Sequence, residues 1–317
     1  MPAIITESLT KFYGGGGSSV HRSAEVRALQ DLSIEVAEGE IFGFLGPNGA
    51  GKSTAIRLLL GYLHPTAGSA TVLGRDVATD NEEIRRRTGY LPGGIAFYDS
   101  MSGSEQLKYL AALDGRPAPL RDELIDRLEL SRRDLGRQIR DYSRGMRQKV
   151  GIIQAFQSDP ELAILDEPTE GLDPLMQRAF YEIVEDRQHA GRTVFFSSHV
   201  LSEVERVCDR VAIVRKGRLV ALNDIGELLK RRRRRVEVRF EGLAPTLEGV
   251  PGLSEIRSHE GLLTCQLEGD PGPLVAALAG ATIRDLLIEP ARLEEAFMEY
   301  YADDVADVPG DETGAAA

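Results

Sequence analysis

Residues 46–54 read Gly46-Pro47-Asn48-Gly49-Ala50-Gly51-Lys52-Ser53-Thr54, a full match to the phosphate-binding pattern GxxxxGK[ST]. Gly46, Gly49 and Gly51 permit backbone shapes that turn successive N–H groups inward around a phosphate, and a helix starting there adds partial positive charge. Lys52 would then reach β and γ phosphates, and the Ser53 hydroxyl would face Mg²⁺. Farther along, Asp166 and Glu167 end the apolar run 162–165. There Asp166 would help hold Mg²⁺ while Glu167, as general base, polarises an attacking water. His199 closes a third apolar run, 194–196, after Ser197 and Ser198. An imidazole N–H at that place would sense a γ phosphate.

These groups need elements that bring them to one edge. The apolar run 41–45 before the glycines suits a strand, and 55–60 after them suits a helix. Residues 4–13 look like an edge strand ending in aromatics, the GGGGSS stretch 14–19 like a mobile hairpin loop, and 26–36 like a returning strand. Residues 82–92 and 104–158 read as mostly helical, with a capped start at Ser104-Glu105 and breaks at Pro117, Pro119 and Pro160. Strand signals at 162–165, 193–196 and 211–214, separated by helices, predict an α/β fold with a largely parallel sheet. Ligands bind such sheets at the carboxyl ends of the strands.

Composition shifts at Lys230 and the five arginines Arg231 to Arg235, and the alternating strand 236–240 follows. The expected organisation is a nucleotide domain over 1–228 with a helical portion near 93–160, a small α+β accessory domain over 229–302, and a disordered acidic tail over 303–317. In the accessory domain, strands are expected at 262–267 and 284–288 and a helix at 293–301. The arginine run reads first as a solvated, charge-balanced domain edge and second as a lipid-headgroup contact.

A chain of 317 residues with net charge −12 lacks the basic excess that general nucleic-acid binding requires. Cys208 and Cys265 are the only cysteines. They are too few for a disulfide framework and are expected to pack in the interior. The first ten residues carry no secretory pattern, and the uncharged stretch 274–283 is far too short to span a bilayer.

The phosphate loop, Tyr142-Ser143-Arg144-Gly145-Met146-Arg147-Gln148, Leu165-Asp166-Glu167-Pro168-Thr169, Gly171-Leu172-Asp173 and Ser198-His199 occur in an order that resembles the ATP-binding subunits of ABC transporters. The resemblance covers residues 4 to about 225. It implies ATP and Mg²⁺ as ligands, hydrolysis of ATP, and a homodimer that sandwiches two nucleotides head to tail. It further implies that Ser143 and Gly145 contact the γ phosphate held by the other subunit, that Tyr13 stacks on adenine, and that Asp173 crosses the dimer seam. The Tyr-Ser-x-Gly-Met-Arg-Gln-Lys segment and the tail from Ile288-Glu289-Pro290 to Phe297 look like the ATPases of drug, antibiotic or polysaccharide exporters. Such a subunit sits on the cytoplasmic face of the cell membrane beneath a separate permease.

Two positions depart from the family: Ser143-Arg144 replaces the commoner Ser-Gly pair, as in the exporter branch, and Gly93 is the departure that matters more. Gly93 follows Gly89-Tyr90-Leu91-Pro92 where a Gln or Glu side chain usually reaches the metal and the lytic water. That departure motivates a hydrolysis-impaired, regulatory subunit as one alternative. Another is a soluble ABC protein acting on ribosomes or DNA, against which stand the single phosphate loop and the lack of sustained heptads over 55–142. The lack of an Asn-Lys-x-Asp guanine-reading segment argues against a GTPase.

Overall fold

The structure is a computed structural model and describes residues 1–14, 26–230, 234–247 and 249–289. The chain divides into two compact units, Met1–Asn223 and Asp224–Ala317, with the division just ahead of the expected boundary at 228.

In the first unit, β1 (Pro2–Tyr13), β2 (Val26–Ala37), β3 (Ile41–Leu45), α1 (Lys52–Leu59), β4 (Ala67–Val72) and β5 (Arg75–Asp76) come first. Then follow α2 (Asn81–Arg87), β6 (Thr88–Leu91), α3 (Gly103–Asp114), α4 (Arg121–Arg127), α5 (Arg132–Leu135) and α6 (Arg144–Phe156). The unit closes with β7 (Leu162–Asp166), α7 (Pro174–His189), β8 (Thr193–Ser198), α8 (Leu201–Val207), β9 (Arg210–Arg215) and β10 (Arg218–Asp224).

Six strands form one sheet in the order β10-β9-β3-β8-β7-β6, and the β9-β3, β3-β8, β8-β7 and β7-β6 pairings are all parallel. Strands β3 and β7 are buried at all five positions and β8 at all six, the continuous apolar pattern of a sheet covered on both faces. Phe42, Phe44 and Phe195 stack across β3 and β8 and anchor a core that takes in Ile56, Leu58 and Leu59 of α1. Because β3, β8 and β7 are parallel neighbours, the loops leaving their carboxyl ends open at one edge. Those loops begin at Gly46, at His199 and at Glu167.

Three sequence expectations change here. Strand β1 is not an edge: the second sheet runs β2-β1-β4-β5, and β1 pairs antiparallel with both β2 and β4. The helix expected over 82–92 ends at Arg87, and Thr88–Leu91 instead pairs with β7. A side chain on Gly89 would place its Cβ 1.9 Å from the Ala155 carbonyl oxygen, so its lack of one lets α6 lie on this strand. The cap of α3 is Ser102 rather than Ser104: its Oγ accepts from Glu105 N, while the Glu105 carboxylate accepts from Ser102 N at 2.8 Å. This is a reciprocal capping box.

The second unit contains α9 (Ile225–Lys230), β11 (Arg234–Glu241), β12 (Leu253–His259), β13 (Leu262–Leu267), α10 (Gly272–Leu278) and β14 (Thr282–Ile288). Its antiparallel sheet runs β12-β13-β11-β14. Val236, Val238, Phe240, Leu263, Cys265 and Leu267 alternate inward and pack with Leu274 and Leu278 of α10. Both cysteines are buried free thiols, as expected, and burial pushes each thiol's pKa up. Of the arginine run, Arg234 bonds the Gly269 carbonyl and Arg235 pairs with Glu237 at 2.9 Å. Arg231 to Arg233, most of the glycine-serine stretch, the expected helix 293–301 and the tail 303–317 lie outside the described residues. Among the described residues, no helix is long and apolar enough to cross a membrane.

Candidate nucleotide site

The loop from β3 into α1 is held in shape by its neighbours. Gly46 N donates to Ser198 O at 3.2 Å, Ala50 N to Pro47 O at 3.1 Å, and Gly217 N to Ala50 O at 3.0 Å. Gly51 caps α1 with φ 106°, a left-handed conformation, and a Cβ there would stand 2.4 Å from the Ala28 carbonyl oxygen. Gly46 is required for a different reason: its Cβ would fall 2.3 Å from Val214 O, so contact with β9 fixes that glycine.

A cleft of about 590 Å³ opens over this loop, lined by Asn48, Gly49, Gly51, Lys52, Ser53 and Thr54 on one side and Gly93, Asp166 and Glu167 on another. The Lys52 ammonium donates to Gly46 O at 2.7 Å and Pro47 O at 3.3 Å, and lies 3.0 Å from Glu167 Oε1. Oε1 is buried and makes no aligned hydrogen bond, so that pair is held by charge rather than by a directed proton. Lys52 is only 6% exposed, and a desolvated ammonium needs such compensation. The other oxygen, Oε2, lies 2.6 Å from His199 Nδ1. An ionised carboxylate only accepts, so Nδ1–H is the donor in this pair. Lys52, Glu167 and His199 thus form one linked row.

Asp166 sits beside them, 4% exposed, with Oδ1 accepting from Ser197 Oγ at 2.6 Å and Oδ2 from Ser53 Oγ at 2.8 Å. The Ser53 hydroxyl and the Asp166 carboxylate are hard oxygen donors brought to one point, which suits Mg²⁺, an ion that keeps waters and phosphate oxygens in its remaining positions. Glu167 has φ 52°, a region that non-glycine residues enter at a cost, and its N–H donates to Ser197 O at 3.1 Å. The same β8 serine therefore fixes Asp166 through its hydroxyl and Glu167 through its carbonyl. Tyr90, on neighbouring β6, is pushed up to about 12 by burial and by Asp166, so its phenol stays neutral.

Four sequence-predicted residues, Ser143, Gly145, Asp173 and Tyr13, stand outside the lining of this cleft. Ser143 caps α6, its Oγ accepting from Met146 N at 3.2 Å, and it does not line the cleft. Gly145 packs on the Gly171 backbone, where a Cβ would meet Gly171 O at 2.8 Å, and the neighbouring Arg144 pairs with Glu170. Asp173 caps α7 through bonds from Leu175 N and Met176 N, both 3.0 Å. Tyr13 is outside the cleft lining; Lys11 Nζ stands 5.5 Å over its ring, and its strand partner Val26 does line the cleft.

Several contributors carried no signal strong enough to find from the sequence. Arg27, Gln30 and Lys216 line the cleft, brought there by the start of β2 and the β9–β10 turn. Gln148 is buried and donates from Nε2 to Pro168 O at 2.6 Å, tying α6 to the loop after β7. Its place in the Ser143-to-Gln148 segment marked it, but not as a tie of this kind.

The ABC transporter family model matches residues 29–170, which include the loop, Gly93, Ser143 and the Asp166-Glu167 pair. An uncharacterised ABC transporter ATP-binding protein of Nostoc is 42% identical over 231 residues, 71% of this chain and 68% of that protein. The fluoroquinolones export ATP-binding protein of Mycobacterium tuberculosis is 37% identical over 233 residues, 72% of this chain and 77% of that protein. Among solved structures, an ATP-binding subunit of an ABC transporter is 30% identical with a TM-score of 0.62, over 71% of this chain and 91% of that one. The ordered loop, carboxylate pair and histidine, with these similarities, place the chain in the family of ABC transporter ATP-binding proteins, and it is an ABC ATPase.

Proposed function

We propose that this ATPase drives a separate membrane permease of the exporter type by closing as a homodimer around two ATP molecules, on the cytoplasmic face of the membrane. The observation that carries this reading is the Lys52–Glu167–His199 row at the edge of the cleft. An incoming γ phosphate takes over Lys52 and His199, whose positive and donor groups are otherwise turned on Glu167. The freed carboxylate then accepts a proton from the attacking water. Asp166 and Ser53 would hold Mg²⁺, which when bound neutralises charge on the phosphate oxygens.

The dimer is supported by an incompleteness. Ser143 and Gly145 lie outside the lining of their own chain's cleft, so a composite pocket needs the face that carries them, here called the signature face, from a second copy. The permease is supported by two adjoining hollows of about 450 and 440 Å³ against α3 and α6, the first bounded by β6 and the second by residues 92–98 after it. Tyr62, Tyr98 and Leu113 stand more than half exposed in their walls, apolar surface that a helical segment of the partner would cover. Export, rather than uptake, is favoured by the similarity to a fluoroquinolones export protein.

Gly93 favours a second reading, a regulatory subunit that binds ATP without turning it over, because no side chain from this position reaches Asp166. Steady-state release of phosphate by the purified chain decides between them. Mg²⁺-dependent turnover that is lost in Glu167→Gln supports the motor; tight ATP binding with no turnover in the unaltered chain supports the regulator.

A further inference from the structure

Glu203, in the first turn of α8, takes no part in the row described above, yet its carboxylate bridges the two loops that carry that row. Its Oε1 accepts from Thr169 Oγ1 at 2.5 Å and its Oε2 from Ser198 Oγ at 2.6 Å. Thr169 lies two residues beyond Glu167, and Ser198 immediately precedes His199. Ser198 is completely buried and Thr169 is 5% exposed, so neither hydroxyl can exchange this acceptor freely for water. Ser198 Oγ in turn accepts from Val200 N at 2.9 Å, and Ser198 O receives the Gly46 N–H, so the same residue braces the turn at His199 and the start of the phosphate loop.

We infer that Glu203 is a positioning residue that holds His199 against Glu167 by clamping their two loops together. The clamp is charge-assisted at both oxygens, the stronger class of hydrogen bond, and it acts beyond the backbone bond from Glu167 N to Ser197 O that follows the paired residues Asp166 and Ser197. Tyr181 of α7 is nearby: burial and the Glu203 charge together raise the tyrosine's pKa, and Arg206 stacks over that ring at 5.2 Å. Releasing the clamp lets the loops move apart, and a misplacement of about 1 Å at reacting groups lowers turnover about 100-fold.

This inference rests on the proposed roles of Glu167 and His199, and the test separates the two. The full chain is purified as Glu203→Ala and Glu203→Gln beside the unaltered protein and Glu167→Gln. ATP turnover, affinity for a fluorescent ATP analogue, thermal stability and the His199 imidazole NMR signals are then measured. His199→Asn assigns those signals among the five histidines. Glu203→Ala is expected to lower kcat roughly 10- to 100-fold with nucleotide affinity kept within about twofold. Glu203→Gln, which keeps one accepting oxygen, is expected to recover part of that loss. The His199 signals should move in Glu203→Ala while those of His64 and His259 stay. Unchanged kcat with unmoved His199 signals overturns the clamp, as does a fall in thermal stability with full turnover per folded molecule. If the unaltered chain turns over no ATP, the motor reading fails, and the His199 signals alone decide whether Glu203 holds that ring.

Discussion

Two faces of the first unit carry the recognisable motifs, and they are finished to different degrees. In the cleft, side chains bond one another: Lys52 with Glu167, Glu167 with His199, Asp166 with Ser53 and Ser197. On the signature face, among the described residues, Ser143 and Asp173 bond only the backbone of the helices they cap, and Gly145 presents no side chain at all. A network whose charged groups pair within it can hold charge ready in a desolvated place. A face whose polar groups spend one acceptor on a cap keeps spare hydrogen-bonding capacity for something outside the chain. The difference is what two halves of a shared pocket would show when apart.

The comparison breaks most visibly at Glu167. Glu167→Gln is expected to retain ATP binding while phosphate release falls roughly 10²- to 10⁴-fold, since the amide cannot take the proton. Next comes a variant that keeps the cap and spoils the face. Aspartate caps helices as well as serine does but repels a phosphate. Ser143→Asp should therefore leave thermal stability and ATP binding unchanged while turnover drops about 10²- to 10³-fold. Equal turnover would make Ser143 a cap and nothing more.

A smaller effect is expected at Gly93. A Cβ there would stand 3.2 Å from Asp166 Oδ2, close enough to press on the proposed metal ligand. Gly93→Ala should raise the Mg²⁺ concentration for half-maximal turnover by about tenfold or less, read from a Mg²⁺ titration. The smallest effect lies away from both faces. Hydrogen bonds from Arg192 lower the Asp159 pKa, and Arg87 does the same for Glu161. Carboxylates lowered in the folded state add stability above their unfolded pKa and lose it as pH falls through the folded one. Asp159→Asn should cost up to about 1 kcal/mol at neutral pH, and denaturant curves of variant and parent should converge below about pH 4.

How much of this could be read from residues alone differs by scale. The phosphate loop, the Asp166-Glu167 pair and His199 were legible because each ends a strongly apolar run, and parallel pairing of those runs brings their ends together. The interior place of β1 was not, since a half-buried amphipathic strand reads alike whether one neighbour or two flank it. Strand β6 was absorbed into a predicted helix because Thr88-Gly89-Tyr90-Leu91 is short and follows a true helix without a break signal. The contributions of Lys216, Arg27 and Glu203 depend on contacts between segments far apart in sequence, to which no local pattern points. The accessory unit was legible at β11, where alternation is clean, but β12 was missed because Leu253 and Ile256 are its only apolar residues, and α10 because its short apolar run, Leu274 to Leu278, carries no polar face to mark a helical period.

The molecular mass of the Glu167→Gln chain in solution, measured by light scattering with ATP and Mg²⁺, tests the shared pocket most directly. Twice the monomer mass with ATP, reverting to the monomer when Ser143→Asp is added, is the predicted result. A monomer saturated with ATP, or a dimer indifferent to Ser143→Asp, would contradict it.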